Sequence, residues 1–188
     1  MKRMFILVAS CMLLFACSDE KKEEAKTEDS SKSTTASTDK KAAAEILDLS
    51  MADPIKKSWA AFSKGDVDAM SADFDDNILY NWSGGDSVRG KKGIQDYYKG
   101  RWNLIQSVSF SNEIVLPLQV NESQQPKYAP PGKWVLYWAM TDVAYKNGKK
   151  ISFWSHTVNH FNDAGKIDYI GHYMDRHPII EATKDMAK

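Results

Sequence analysis

The four histidines of this chain gather near its C-terminal end, at His156, His160, His172 and His177. Imidazole is the side chain whose ordinary pKa lets it change charge between pH 5 and 8, so such a group points to proton transfer or metal coordination. Between them, Asn162-Asp163-Ala164-Gly165 spells a type I turn with Gly165 at the left-handed position of a bulge. If Asn162 pairs with Lys166 across that turn, His156 lies opposite His172 and His160 opposite Asp168. Directly opposed β-carbons stand about 4.5–5.5 Å apart, close enough for two imidazoles to share an ion. A firm third ligand is missing, and no metal or other cofactor is assigned. The same parity places Trp134, Leu136, Trp138, Met140, Phe153, Phe161, Ile167, Tyr169 and Tyr173 on the other face. That more apolar face is expected to meet the helices.

The elements that must position these groups follow from spacing. Asp53-Pro54 offers an N-cap followed by a proline at the first helical position, and Ile55, Trp59 and Phe62 then recur along one helical face. Gly65 is placed to end that helix, and Asp66 to cap a short second one carrying Met70 and Phe74. Residues 77–82 read as a strand. A third helix runs from about Lys91, with Ile94, Tyr97, Tyr98, Arg101, Trp102 and Ile105 on one side. From Ser107 the pattern turns to β. A strand to Val120 is expected to bend or break near Pro117, and a proline-rich loop spans residues 121–132. Residues 134–145 and 151–161 form a hairpin around Asn147-Gly148, which suits a type I′ turn, and 166–175 completes a meander. Helices first and antiparallel strands after make the class α+β.

The N-terminal part has a different character. Met1-Lys2-Arg3 is basic, and Phe5 to Phe15 is apolar but too short to span a bilayer, as in a signal peptide. Leu14-Phe15-Ala16-Cys17 resembles a bacterial lipobox, with Cys17 the lipidated residue. Residues 1–17 therefore read as a lipoprotein signal and 18–41 as a disordered tether without large apolar residues. Residues 42–188 form one domain, of a length that suits a single core. The expected location is the cell envelope, with the outer membrane favoured and the domain periplasmic or surface-exposed. Twenty-five basic residues balance twenty-five acidic ones. With no basic stripe, the electrostatic footprint of nucleic-acid binding is absent. Apart from Cys17, the only cysteine is Cys11, which would leave with the signal, so there is no thiol nucleophile. Gly84-Gly85 and Gly90 lack the spacing of a phosphate loop, and no serine sits in a nucleophile elbow.

Trp59 to Gly65-Asp66, Phe74-Asp75-Asp76, Gly90-Lys91-Lys92-Gly93-Ile94 with Tyr97-Tyr98, and Phe161 with Gly165-Lys166-Ile167 together resemble the SnoaL-like branch of the nuclear transport factor 2-like superfamily. The resemblance covers roughly residues 45–178. It implies a cone-shaped, curved antiparallel sheet wrapped around N-terminal helices, a pocket at the open end, and a homodimer through the sheet's outer face. The position of the ketosteroid isomerases' carboxylate base falls on Trp82, which cannot accept a proton. The position of the polyketide cyclases' acid/base aspartate falls on His172. That placement turns His172 toward the pocket, and a bulge at Gly171 would reconcile it with the strand register. The implied ligand-binding residues are Trp82, Tyr98, Trp102, Trp138 and His156, with His172 the candidate catalytic residue. Three functions remain open: a lipid-anchored module binding a small apolar or aromatic ligand; an isomerase, dehydratase or hydrolase using His172 as general acid/base; and a non-catalytic structural or dimerising domain.

Overall fold

A computed structural model describes residues 42–121 and 130–186. The signal segment, Cys17, the tether and most of the proline-rich loop lie outside the described residues. Strand β1 spans Ala44–Ile46, and a short 3-10 turn at Leu49–Ala52 leads directly into helix α1, Asp53–Phe62. The turn shifts the capping by one motif. Asp48 caps the turn by accepting the Ser50 N–H at 2.9 Å, and Asp53 is the first helical residue rather than its cap. Gly65, at φ +81°, ends α1 in the left-handed conformation that a side chain disfavours. Asp66 then caps α2, Val67–Met70, by accepting the Ala69 N–H at 2.8 Å.

Strands β2 (Phe74–Trp82) and β3 (Ser87–Arg89) precede helix α3 (Lys91–Trp102). The long strands β4 (Ile105–Val120), β5 (Gly132–Tyr145), β6 (Lys150–Phe161) and β7 (Ile167–Met174) follow, and α4 (His177–Thr183) closes the described domain. The architecture is α+β: N-terminal helices against one curved seven-stranded sheet of order β1-β4-β5-β6-β7-β2-β3. The sheet is mixed rather than wholly antiparallel, because β2 runs parallel to β7. No tight turn joins those two strands, so nothing forces them to run antiparallel.

Two local expectations change. Strand β4 does not break at Pro117, which pairs with Val135; its irregularities fall between Ile105 and Ser107 and between Ser111 and Ile114, where Asn112 takes φ +52°. Pro117 sits just beyond the Leu118↔Ile46 pair and contributes its carbonyl to the Leu47 N–H at 3.0 Å, so its missing donor breaks no contact with β1. At the β5–β6 hairpin only Gly148 has positive φ, +85°. Gly148 N–H donates to Tyr145 C=O and Tyr145 N–H to Lys149 C=O, which describes a type I turn with a glycine bulge instead of type I′. The Asn162–Gly165 turn has the same pattern.

The core lies between α1–α3 and the concave sheet face. Inward residues alternate along the strands: Ile78, Tyr80 and Trp82 on β2; Val135, Tyr137 and Ala139 on β5; Thr157, Asn159 and Phe161 on β6. Trp59 joins the layers. Its ring centroid lies 5.2 Å from Phe110, 6.0 Å from Phe62 and 5.5 Å from His172. Such pairs add about 0.5–1.5 kcal/mol each beyond the area they bury.

Candidate functional site

Strand β7 decides which histidines meet. Ile167 pairs with Phe161, but His160 pairs with Tyr169, so Asp168 is the extra residue of a bulge. Beyond it every partner shifts by one: Thr157 faces His172 and His156 faces Tyr173. The bulge lies at Asp168, not Gly171. His172 points into the domain and is 6 % exposed, whereas His156 stands on the outer face. The two imidazoles therefore cannot share an ion as opposed neighbours. Among the described residues no group of three His, Cys, Asp or Glu is arranged to hold a metal.

Three strands set the row Thr157–His172–Trp82 side by side on the inner face. The next row down holds Asn159, Ile170 and Tyr80. From there the Tyr80 hydroxyl reaches His172 Nδ1 at 2.7 Å and the Tyr98 hydroxyl of α3 at 2.5 Å. With Nε2 protonated, Tyr98 donates to Tyr80 and Tyr80 to Nδ1; with Nδ1 protonated, the direction reverses. Either tautomer leaves Nε2 at the end of the chain, buried and without a partner among the described residues. Burial first, and the charge of His156 second, push His172 down to about 3. Burial also raises Tyr80 and Tyr98 well above the ordinary phenol range. All three groups are neutral near pH 7.

His172 belongs to the wall of a cavity of about 130 Å³. Trp59 and Phe62 come from α1, Tyr97, Tyr98 and Arg101 from α3, and Trp82 from β2. Strands β4–β6 add Val108, Phe110, Thr141, Val143, Tyr145, Phe153 and Ser155. Met174, Arg176 and the α4 residues Ile179, Ile180 and Thr183 line the C-terminal side. Thr141 and Ser155 satisfy each other at 2.9 Å, and Arg176 pairs with Asp86. A partly open space of this size, walled mainly by aromatic and aliphatic groups, suits a ligand whose buried part is about as large as one six-membered ring.

Of the residues expected to line the pocket, Trp82, Tyr98 and His172 do so. Trp102 does not: it stacks edge-on to Phe62 at 5.7 Å and covers Gly65, with its indole N–H buried and without a partner among the described residues. Trp138 and His156 are corrected to the opposite face of the sheet, where their rings stack at 4.2 Å and His156 continues to Tyr173 at 5.8 Å. Trp134, Leu136 and Met140 share that outer face, so the apolar side of β5 is not the side that meets the helices. The bulge explains His156; for Trp138, the outer face is as aromatic as the inner one, so hydrophobicity alone cannot choose between them. His160 Nδ1–H donates to the Asp168 carboxylate at 2.6 Å on this same outer surface.

Sequence reasoning missed Tyr80, Trp59 and Arg101 as wall or relay residues. Tyr80 was within reach, since it lies two positions before Trp82 and so shares its face.

An α+β cone of helices and one curved sheet has the nuclear transport factor 2-like fold. Residues 55–170 match the SnoaL-like domain, and the chain belongs to that family. No curated protein matches it. Among solved structures it is similar to a candidate isomerase from Bacillus subtilis, at 18% identity and TM-score 0.56 over 71% of this chain and 92% of that one. A nuclear transport factor 2-like protein of unknown function from Burkholderia pseudomallei aligns at 14% identity and TM-score 0.53, covering 70% and 95%. A candidate polyketide cyclase from Xanthomonas campestris aligns at 14% identity and TM-score 0.52, covering 70% and 94%. At these identities the likeness concerns the fold.

Proposed function

We propose that the domain binds a small apolar or aromatic molecule in the cone cavity, with His172 Nε2 as its polar anchor. One observation carries this reading. Three buried side-chain polar atoms lack partners among the described residues, on Trp102, Tyr137 and His172, and only His172 lines the cavity. A buried polar atom without a partner costs about 1–3 kcal/mol, a cost that a ligand hydrogen bond would relieve. Binding is favoured over acid/base catalysis because a histidine held neutral with a pKa of about 3 is a weak base near neutrality. The enzyme reading keeps one support, the Tyr98–Tyr80–His172 chain, along which a proton could pass.

The test is a titration of tryptophan fluorescence of the full chain against a library of single-ring hydrophobic compounds. Saturable quenching by one compound class is expected, weakened at least tenfold by Val108→Trp, which fills the cavity from its β4 wall. Saturable binding that Val108→Trp leaves unchanged would place the ligand elsewhere.

The proposal includes attachment to a membrane of the bacterial cell envelope through lipid on Cys17, supported by the basic start, the apolar run and Leu14-Phe15-Ala16-Cys17. Acyl chains would anchor it at about 0.8 kcal/mol per buried methylene. Expression with labelled palmitate should give a labelled, membrane-pelleting protein, and Cys17→Ser should remove both properties. A membrane-bound but unlabelled wild type would contradict lipidation.

A further inference from the structure

The cavity wall has an uneven charge. It contains no aspartate or glutamate among the described residues, yet it holds two arginines, Arg101 and Arg176. Arg176 is matched by Asp86. Arg101 makes no salt bridge among the described residues. It projects from the last turn of α3, one turn beyond Tyr97 and Tyr98, and is half-buried. Its charge acts on the hydroxyls of both Tyr98 and Tyr145, and it also donates a hydrogen bond to the Tyr145 hydroxyl; both tyrosines line the cavity. A half-buried guanidinium with no carboxylate partner among the described residues is partly shielded from water, so it favours an anion more strongly than the same group fully in water. Its planar fork matches a carboxylate.

We propose that the ligand is the carboxylate of a small aromatic or apolar acid, its charge held by Arg101 and its ring enclosed by Trp59, Phe62, Trp82 and Phe110. This rests on the binding reading above and narrows it to one chemical class. The cavity volume limits the buried part to about one ring. Neutral His172 offers the second polar contact, to a ring substituent or to the far carboxylate oxygen. Because the wall has no acid of its own, the carboxylate meets no like charge there.

Benzoate and its uncharged isostere benzamide, titrated against the full chain by ligand-observed NMR, test the proposal. Benzoate is expected to bind at least tenfold more tightly than benzamide. Arg101→Met should reduce that ratio to within twofold, mainly by weakening benzoate, while Arg101→Lys retains part of it. Arg101 is half-buried, so both variants should fold, and a thermal melt checks each one. Equal binding of the two probes, or a preference for benzoate that survives Arg101→Met, overturns the carboxylate assignment and leaves the pocket reading intact. If neither probe binds saturably while the library of the fluorescence titration gives a saturable ligand, the carboxylate assignment falls and the pocket reading stands; if the library gives none either, both fall.

Discussion

Tyr80→Phe should destabilise the domain by about 1–3 kcal/mol for each group it orphans. The hydroxyl it removes is the link between Tyr98 and His172 Nδ1, and Tyr80 itself is 1 % exposed, so water cannot easily replace it. The variant changes little volume, so the loss comes from unpaired polar groups and not from a cavity. Tyr98→Phe is the matched control, because it leaves the Tyr80–His172 bond in place and should cost less. Urea denaturation followed by fluorescence measures both. A lower midpoint with an unchanged slope is expected, larger for Tyr80→Phe. If Tyr80→Phe lost less than Tyr98→Phe, the relay would not be the stabilising unit described here.

Acid should weaken the fold through His172. The folded-state value of about 3 lies below the ordinary 6.5, so between them the unfolded chain takes up a proton that the native domain refuses. Stability therefore rises with pH across that window, by up to about 1.4 kcal/mol per pH unit from this group alone. Above 6.5 the contribution is complete and flat; it is lost as pH falls toward 3. Surface carboxylates add slopes of their own, so the informative quantity is the difference between wild type and His172→Gln. That difference should be constant above pH 6.5 and should shrink as pH falls below it. A difference that stayed constant from about pH 8 to about pH 4 would show that His172 is not buried in neutral form.

These effects depend on features that the sequence shows unequally. The places where the chain turns were legible, although the turn at Asn147-Gly148 is type I with a glycine bulge and not type I′. Gly65, Asp66, Gly148 and Gly165 each sit where a helix or strand ends, because a positive φ or a side-chain cap is decided by a few adjacent residues. The α+β class followed from the order of helical and alternating patterns. Strand faces were harder. Trp134, Trp138 and Met140 point outward although they are as apolar as anything inside, and a period of two gives alternation without saying which set is buried. The bulge at Asp168 was the decisive unreadable feature. A single extra residue there moves His172 from partnering His156 to the interior row beside Trp82. The parallel pairing of β2 with β7 was equally hidden, since it joins strands distant in the chain. The hydrogen-bonded chain depends on it: Tyr80 and His172 come together only because these two strands are neighbours.

The central claim is that His172 Nε2 is the polar anchor of a ligand bound inside the cone. ¹⁵N NMR of the histidine ring nitrogens, recorded on the full chain during titration with the compound that quenches fluorescence, tests it most directly. Saturable binding should shift the Nε2 resonance of His172 strongly and leave the rings of His156 and His160, on the outer face, nearly unmoved. Saturable binding that moves His156 while His172 stays fixed would put the ligand on the aromatic outer face beside Trp138 and Tyr173, and would contradict the claim.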